Sequence, residues 1–320
     1  MKIKERIIAN EAEAKRFINE QVRKIRKRVR KNKAICFVSG GVDSSVVAVL
    51  GQCALGDKNF LPVIIENGLM RKDEIRNVRQ GFYVERGIFL ELIEASELFF
   101  DKLKGQLLPY DKRTAIRGAF YGGVLPEIVK KSGAEFFLQG TILTDIEATA
   151  QNSEAPQHNV LKQIELKIGR LEIIEPLAEL RKPSVRFIAK VLGLPEDVCN
   201  RMPFPGPALA VRIIGEVTRE KVEIIRKITA IVEKELEGIG AFQYFAVLTS
   251  DMAPNYNRTK LGYAITIVCI NSINAVTALP TKVSYELITG IRNRIYREIP
   301  EVFRVAWDFS TKPPAAIEWV

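Results

Sequence analysis

The sequence has almost no histidine and little cysteine, and this scarcity removes the raw material for several kinds of catalytic site. His158 is the only histidine among 320 residues, so a Ser-His-Asp triad or a His-based zinc site is not expected. No two cysteines form a CxxC pair, since they stand far apart at Cys36, Cys53, Cys199 and Cys269. This spacing argues against a zinc knuckle or a disulfide framework and favours a reducing, cytoplasmic setting.

Long apolar runs are also lacking. The chain contains no stretch of about 20 apolar residues that could span a bilayer. No uninterrupted apolar segment follows the first basic residues, as a signal peptide would require. A content of 47% hydrophobic and 27% charged residues is typical of a folded chain and excludes a disordered one. We therefore expect a folded protein with no membrane partner.

Positive charge is concentrated at the amino terminus. Residues 1–33 hold 13 Lys and Arg against 4 Glu, whereas the other 287 residues hold 35 basic and 34 acidic side chains. Apolar residues recur there at helical spacing, which predicts a basic helix; they are Ile7, Ile18, Val22, Ile25 and Val29. Its basic face is either solvated, a docking surface for an acidic partner, or a non-specific nucleic-acid contact. Because the rest of the chain is nearly neutral, nucleic acid is not the expected partner.

The next part of the chain, residues 34–205, alternates between strand and helix signals. Apolar runs that predict buried strands lie at residues 34–38, 61–65, 88–93 and 135–138, with helical stretches between them. This alternation predicts an α/β domain built on a mainly parallel sheet. Polar loops follow three of the strands, at Ser39, Glu66 and Gln139, and ligands of such sheets bind at the carboxyl ends of the strands.

A smaller α+β domain is predicted for residues 206–320. The Pro/Gly-dense residues 202–207 interrupt regular structure before it. Beyond them we predict a strand at 209–215, a helix at 218–236, two strands at 241–248 and 262–270, a helix at 283–298 and a strand at 302–307.

The loop after the first strand has the composition of a phosphate site. It reads SGGVDSS, and the candidate ligand-binding residues are Ser39, Gly40, Gly41, Val42, Asp43, Ser44 and Ser45. Glycines let the backbone approach a phosphate, and the following helix adds positive potential from its N-terminal amides. The loop is neither GxxxxGK[ST] nor GxGxxG. A carboxylate at Asp43 would repel phosphate unless a divalent cation lies between them, so Asp43 is a candidate metal ligand.

Residues 39–45 resemble the signature of the PP-loop ATP pyrophosphatases, which cleave ATP between the α- and β-phosphates. Further segments are similar to the ATP-pyrophosphatase and dimerisation part of GMP synthase. These are IENGLMR at 65–71, KR at 112–113, QGTI at 139–142, EPL at 175–177, PFPGP at 203–207, KPP at 312–314 and IEW at 317–319. The resemblance covers nearly the whole chain after residue 33. It implies an adenine-nucleotide α-hydrolase-like fold followed by a dimerisation domain, and hence a homodimer.

The resemblance also implies a reaction. The O2 oxygen of xanthosine monophosphate (XMP) attacks the α-phosphate of ATP, pyrophosphate leaves with Mg²⁺, and ammonia displaces AMP. Metal binding would fall to Asp43 and Asp145, and catalysis to those two with Arg113 and Lys312. Besides the loop, ATP would contact Asn67, Gly68 and Gly140. The acceptor nucleotide would contact Arg113, Pro205, Gly206, Arg212, Lys312 and Glu318. Since no glutaminase sequence precedes residue 33, we expect a separate glutaminase subunit to supply the ammonia.

Several positions depart from the family pattern. Met202 replaces a His, Ala208 and Ala210 replace glycines, and Asn274 and Val320 replace acids. The segment that resembles the family's lid is shortened around residues 157–160, where His158 is a candidate phosphate or acid–base contact. Two alternatives therefore stay open. One is a paralogue that adenylates a different acceptor and then either aminates it or inserts sulfur into it. Cys199 would be the thiol for sulfur insertion. The other is a non-catalytic, ATP-binding regulatory protein.

Overall fold

The structure is a computed structural model that describes residues 3–151, 171–202, 204–272, 277–317 and 319. Over these ranges the chain forms two compact units. The first unit is made of Met1–Glu66, Asp73–Ala95 and Phe120–Arg201, and the second of Asn67–Lys72, Ser96–Ala119 and Met202–Val320.

Helices and strands alternate through the first part of the chain. In chain order the helices are α1 (Glu11–Val29), α2 (Val42–Asn59), α3 (Glu74–Arg86), α4 (Ser96–Leu103), α5 (Pro109–Gly118), α6 (Leu125–Ser132), α7 (Leu143–Gln151), α8 (Lys182–Val191), α9 (Glu196–Cys199), α10 (Arg219–Glu235) and α11 (Tyr285–Glu298). A π-helical turn (Ala119–Val124) follows α5. The strands are β1 (Ala34–Phe37), β2 (Phe60–Glu66), β3 (Glu91–Glu94), β4 (Phe136–Leu138), β5 (Glu172–Ile174), β6 (Gln243–Pro254), β7 (Leu261–Asn271), β8 (Leu279–Pro280) and β9 (Val302–Trp307).

The first unit is organised around a parallel sheet. Its strands lie in the order β3-β2-β1-β4-β5, with Ala34 of β1 paired to Phe60 on one side and Phe136 on the other. Ala34, Ile35 and Cys36 are almost fully buried, which explains why β1 is apolar without alternation. The predicted fold, a parallel sheet flanked by helices and followed by a smaller α+β part, is confirmed.

The predicted basic helix exists as α1, but its buried face differs from the predicted one. Ile25 and Val29 are buried as expected, whereas Ile7 lies before the helix and is 71% exposed. The helix begins at Glu11 because Asn10 caps it, with its side-chain oxygen accepting from the Glu13 amide at 3.0 Å. Its buried face consists of Ala14, Phe17, Gln21, Ile25 and Val29.

The second unit contains the smaller sheet. Strands β6 and β7 are antiparallel, β8 pairs in antiparallel with the C-terminal end of β7, and β9 pairs with β7 in parallel. Helix α10 begins after Thr218, whose hydroxyl accepts from the Lys221 amide at 3.2 Å. The predicted strands and helices from residue 218 onward are confirmed, although β6 continues six residues past the predicted end at residue 248 and β8 is not predicted.

One predicted strand, at residues 209–215, is wrong. The segment forms a 3-10 helix (Ala208–Arg212), and Ile213 makes only an isolated bridge to Leu248. The reason lies just upstream, where Ala208 adopts φ +53° and donates its amide to the Pro205 carbonyl at 2.9 Å. This turn begins a helical geometry that the apolar side chains alone did not indicate.

Within the described ranges, no helix combines the length and the apolar character needed to cross a membrane.

Candidate active site

The loop at residues 39–41 lies at the centre of the parallel sheet, between β1 and the N-terminus of α2. Strand β1 separates β2 from β4, and the strand order reverses at this point, where open α/β sheets bind ligands. Gly41 caps α2 in an extended conformation without a side-chain bond. The first amides of a helix of 18 residues therefore face the loop, and such amides bind anions.

Serine hydroxyls hold the loop closed on itself. The Ser39 amide donates to the Ser44 hydroxyl at 3.1 Å, and Ser44 donates onward to the Gly41 carbonyl at 3.0 Å. Ser44 therefore shapes the backbone. Ser45 differs, because its hydroxyl oxygen is buried and has no hydrogen-bond partner among the described residues. A buried donor of this kind is costly unless a ligand completes it.

The ion pair between Arg201 and Glu74 supports the phosphate loop at Gly40. Gly40 has φ +77°, and a Cβ atom there would lie 2.6 Å from Val78 Cγ2 and 2.7 Å from Arg201 Nη1. Arg201 donates to the Gly40 carbonyl at 2.8 Å and forms an ion pair with Glu74, whose side chain is 5% exposed. Only glycine fits this position, and Arg201 fixes the direction of its carbonyl.

Gly140 joins the same site from the neighbouring strand. It follows β4, and a Cβ atom on it would lie 3.2 Å from both the Asp43 carbonyl carbon and the Ser44 amide nitrogen. The structure thus brings Gly140 together with residues 39–45, as the resemblance implied.

Asp43 has one occupied and one unsatisfied carboxylate oxygen. Its Oδ2 accepts from Lys182 Nζ at 2.5 Å, while Oδ1 is buried with no hydrogen-bond partner among the described residues. A buried carboxylate oxygen needs a donor or a cation, and carboxylate oxygen is the ligand type that Mg²⁺ prefers. The residues present therefore fit a divalent cation at Asp43.

Asp145 occupies the first turn of α7. Its Oδ2 accepts from the Ile142 amide at 3.1 Å, and the side chain is half-buried. In the described part of the chain, no three His, Cys, Asp or Glu side chains cluster closely enough to hold a metal ion by themselves. The pairing of Asp145 with Asp43 on one metal stays a prediction.

Two other predicted ATP contacts, Asn67 and Gly68, belong to the second unit. Asn67 is buried, and its Oδ1 accepts from the Leu69 amide at 2.8 Å. Gly68 has φ +74° and would clash with Phe100 if it carried a Cβ atom, while its carbonyl accepts from Arg226 Nη2 at 2.6 Å. The two residues form a tightly held turn.

The predicted acceptor contacts are also in the second unit. Arg212 is 1% exposed, with its guanidinium 3.4 Å from the centre of the Phe245 ring. Lys312 exchanges backbone hydrogen bonds with Ala278 at 2.9 and 3.1 Å. The remaining described candidates are solvent-accessible to differing degrees: Arg113 and Pro205 are half-buried and Gly206 is exposed. Glu318 lies outside the described residues, and so do His158 and the lid segment.

The sequence predicts no role for two lysines of chemical interest, although Lys112 lies in the KR segment that resembles the family. Lys182 opens α8 and contacts Asp43 across 139 positions of sequence; nothing in its local sequence assigns it a role. Lys112 is fully buried on α5 and donates to the Ile213 carbonyl at 2.5 Å. Burial, with a smaller effect of the Lys221 charge, lowers the pKa of Lys112 from 10.5 to about 8.

Cys199 does not have the environment of a reactive thiol. It is fully buried, and its sulfur donates to the Leu194 carbonyl at 3.4 Å. Burial raises the pKa of the Cys199 thiol. Because the thiolate is the nucleophile, this arrangement gives no support to sulfur transfer through Cys199.

The departures from the family pattern are accommodated structurally where they are described. The Met202 sulfur accepts from the Tyr244 amide at 3.3 Å. Ala208 stands in the left-handed region at φ +53°, where the family's glycine would be unstrained, and Ala210 is buried. Asn274 and Val320 lie outside the described residues.

The phosphate loop, the strand order and the carboxylate at Asp43 define a nucleotide-binding α/β protein of the PP-loop class. Comparison with known proteins agrees: the family profile described as "NAD synthase" matches residues 12–85, and the one described as "GMP synthase C terminal domain" matches residues 229–319.

Curated relatives narrow this class to one family. Proteins named as the B subunit of "GMP synthase (glutamine-hydrolyzing)" match almost end to end. The Pyrococcus horikoshii protein is 45% identical over 309 residues, 95% of this chain and 98% of its own length. The Archaeoglobus fulgidus protein is 41% identical over 96% of this chain and 99% of its own length, and the Methanocaldococcus jannaschii protein 41% over 95% and 98%. The chain belongs to the family of GMP synthase B subunits, so the predicted resemblance is confirmed.

Proposed function

We propose that this chain is the ATP-pyrophosphatase subunit of a GMP synthase, which adenylates XMP and replaces the adenylate by ammonia to give GMP. The single observation that carries the ATP half of this proposal is the phosphate loop with an unsatisfied buried oxygen on Asp43. The relatives' names support the acceptor half.

The first unit would bind ATP. Amides at the start of α2 would receive the phosphates, and the Ser45 hydroxyl would supply a further donor. Mg²⁺, when bound, neutralises the charge that develops on the leaving pyrophosphate. Asp43 would hold it, with Asp145 as the second carboxylate, while Lys182 keeps a positive charge beside Asp43. The Arg201–Glu74 pair would fix the loop backbone in place.

Residues of the second unit would bind the acceptor nucleotide. Arg113 and Lys312 would meet its phosphate or the transferring adenylate, since guanidinium and ammonium groups donate hydrogen bonds to phosphate oxygens. Glu318 would accept hydrogen bonds from the sugar or base, and Pro205, Gly206 and Arg212 would shape the pocket. We keep the division into a basic helix at 1–33, an ATP-pyrophosphatase domain at 34–205 and a dimerisation and acceptor domain at 206–320 as part of the proposal.

The proposal includes a partner, because the relatives are called the B subunit of a glutamine-hydrolysing enzyme. A separate glutaminase subunit would release ammonia from glutamine and pass it to the adenylated acceptor. A homodimer formed through residues 206–320 and a cytoplasmic setting complete the assignment.

The test is an assay of AMP and GMP formation from ATP, Mg²⁺ and ammonium with a panel of purine nucleotides. We expect turnover with XMP and none with inosine, adenosine or guanosine monophosphate. Turnover with another nucleotide but not XMP would establish the paralogue, in keeping with the departures at Met202, Ala208 and Ala210. ATP binding without pyrophosphate release for any acceptor would establish the regulatory alternative.

A further inference from the structure

The outward face of α1 carries a continuous stripe of positive charge. Arg16, Arg23 and Lys27 lie within about 40° of one direction around a helix of 3.6 residues per turn, and all three are exposed. The opposite side holds the buried face, centred on Gln21 and Ile25. From Arg16 to Lys27 these charges cover about 17 Å of the helix, and Arg30 and Lys31 follow directly after its end. We call these five residues the basic stripe.

The charges of the basic stripe have no partner among the residues that the structure describes. Other cations of α1 have partners: Lys15 pairs with Glu11, Lys24 with Glu20, and Arg28 with Glu172. Arg26 donates to the carbonyls of residues 53 and 54. By contrast, no side chain of the basic stripe forms an ion pair or a hydrogen bond with any residue the structure describes.

This arrangement is unfavourable for the isolated helix. Arg23 and Lys27 are four residues apart within α1, and like charges at that spacing destabilise a helix. The rest of the chain is nearly neutral, with 35 basic and 34 acidic residues after position 33. An exposed charge cluster at one helix, without partners in the described part of the chain, is what an electrostatically complementary partner surface would use.

The helix is also connected to the ATP site. The segment that leads into α1 is bonded to the residues around Lys182: the Ile8 amide donates to the Ser184 hydroxyl at 3.2 Å and the Arg6 amide to the Glu179 carbonyl at 2.8 Å. A partner bound to α1 therefore contacts a helix whose preceding segment is hydrogen-bonded to residues near Lys182. Lys182 contacts Asp43, the candidate metal ligand.

We propose that the basic stripe of α1 is the docking surface for an acidic face of the separate glutaminase subunit. The inference rests on the proposed function, which requires such a subunit. Charge pairs across the interface would speed encounter and make the affinity fall with salt. Ammonia supplied free in solution would bypass the contact, so the stripe would matter for glutamine and not for ammonium.

The test uses the full chain with the glutaminase subunit from the same organism. The stripe variant is Arg16→Glu/Arg23→Glu/Lys27→Glu. The control variant, Lys58→Glu/Lys104→Glu/Lys131→Glu, makes the same change in net charge at exposed lysines elsewhere. For each variant, GMP formation is measured with glutamine as the nitrogen source at increasing glutaminase concentrations, and separately with ammonium. The Kd for the glutaminase subunit is measured at low salt and again at high salt.

We expect the stripe variant to keep ammonium-dependent activity and to raise both the Kd and the half-saturating glutaminase concentration at least about tenfold, with a weaker salt dependence. The control should match the wild type. Unchanged glutaminase affinity in the stripe variant would overturn the proposal, and so would tight RNA binding by the wild type that the stripe substitutions alone abolish. If the wild type fails with ammonium as well, the proposed function fails, while the Kd comparison still decides the docking surface.

Discussion

Asp43 carries an electrostatic cost in the ligand-free protein. Only one of its carboxylate oxygens is paired, with Lys182, and the other is buried without a partner among the described residues. Such a group disfavours the folded state unless a ligand completes it. Under the proposed function, binding of a cation together with the nucleotide would complete it.

We predict that Asp43→Asn lowers the rate of pyrophosphate release by about 10²–10³-fold, since a preorganised charge at the leaving group is lost. The amide keeps the shape of the side chain, so the unfolding free energy should change little. Asp57→Asn, an exposed carboxylate near the far end of α2, is the matched control and should retain full activity. A normal steady-state rate for Asp43→Asn would contradict the metal-binding role.

Lys112 makes stability depend on pH. Its pKa is lowered from 10.5 to about 8 by burial, so below pH 8 the lysine is charged in both states and the folded state bears the desolvation cost. As the pH rises from 8 toward 10.5 the folded form loses its proton first, and the free energy of unfolding increases. The full difference corresponds to roughly 3 kcal/mol.

We predict that Lys112→Met removes this rise. Urea denaturation at several pH values between neutrality and the ordinary lysine pKa should show the wild type gaining stability relative to the variant, with the groups common to both proteins cancelling in the difference. Lys221→Met, the half-buried neighbouring cation that adds a smaller effect, is the control and should preserve most of the rise. Parallel pH curves for wild type and Lys112→Met would show that the buried lysine has an ordinary pKa.

Among the secondary-structure elements, helix α3 supports the phosphate loop in addition to β1 and α2. Glu74 begins α3 and pairs with Arg201, which holds the Gly40 carbonyl, and Val78 of the same helix fills the space beside Gly40. The loop is thus positioned by contacts that span 127 and 161 residues of sequence. We regard Glu74 and Arg201 as positioning residues.

We predict that Glu74→Gln raises the KM for ATP about tenfold while the KM for XMP stays unchanged, because the amide weakens the charge-assisted bond that orients Arg201. A role in overall stability alone would lower the melting temperature without separating the two KM values. Asp73→Asn, the adjacent and exposed acid, serves as the control. Equal shifts in both KM values would contradict the positioning role.

Over the chain as a whole, local patterns predict more of the fold than of the site. The buried strands and the SGGVDSS loop are predictable because apolar runs and a Gly-rich turn are local signals. The contacts Lys182–Asp43 and Arg201–Glu74 are not, since neither the lysine nor the arginine reveals a partner more than 100 residues away. The apolar residues after Pro207 have the pattern of a strand. That pattern does not indicate the positive φ of Ala208, which begins a helical turn instead.

Adenylate transfer to the oxygen at C2 of XMP is the step on which the proposed function depends. Its most direct test supplies XMP labelled with ¹⁸O at that position, together with ATP, Mg²⁺ and ammonium, and analyses the AMP by mass spectrometry. We predict that the AMP phosphate carries one ¹⁸O atom for each GMP formed. AMP free of the label, with the ¹⁸O released into water, would contradict the transfer.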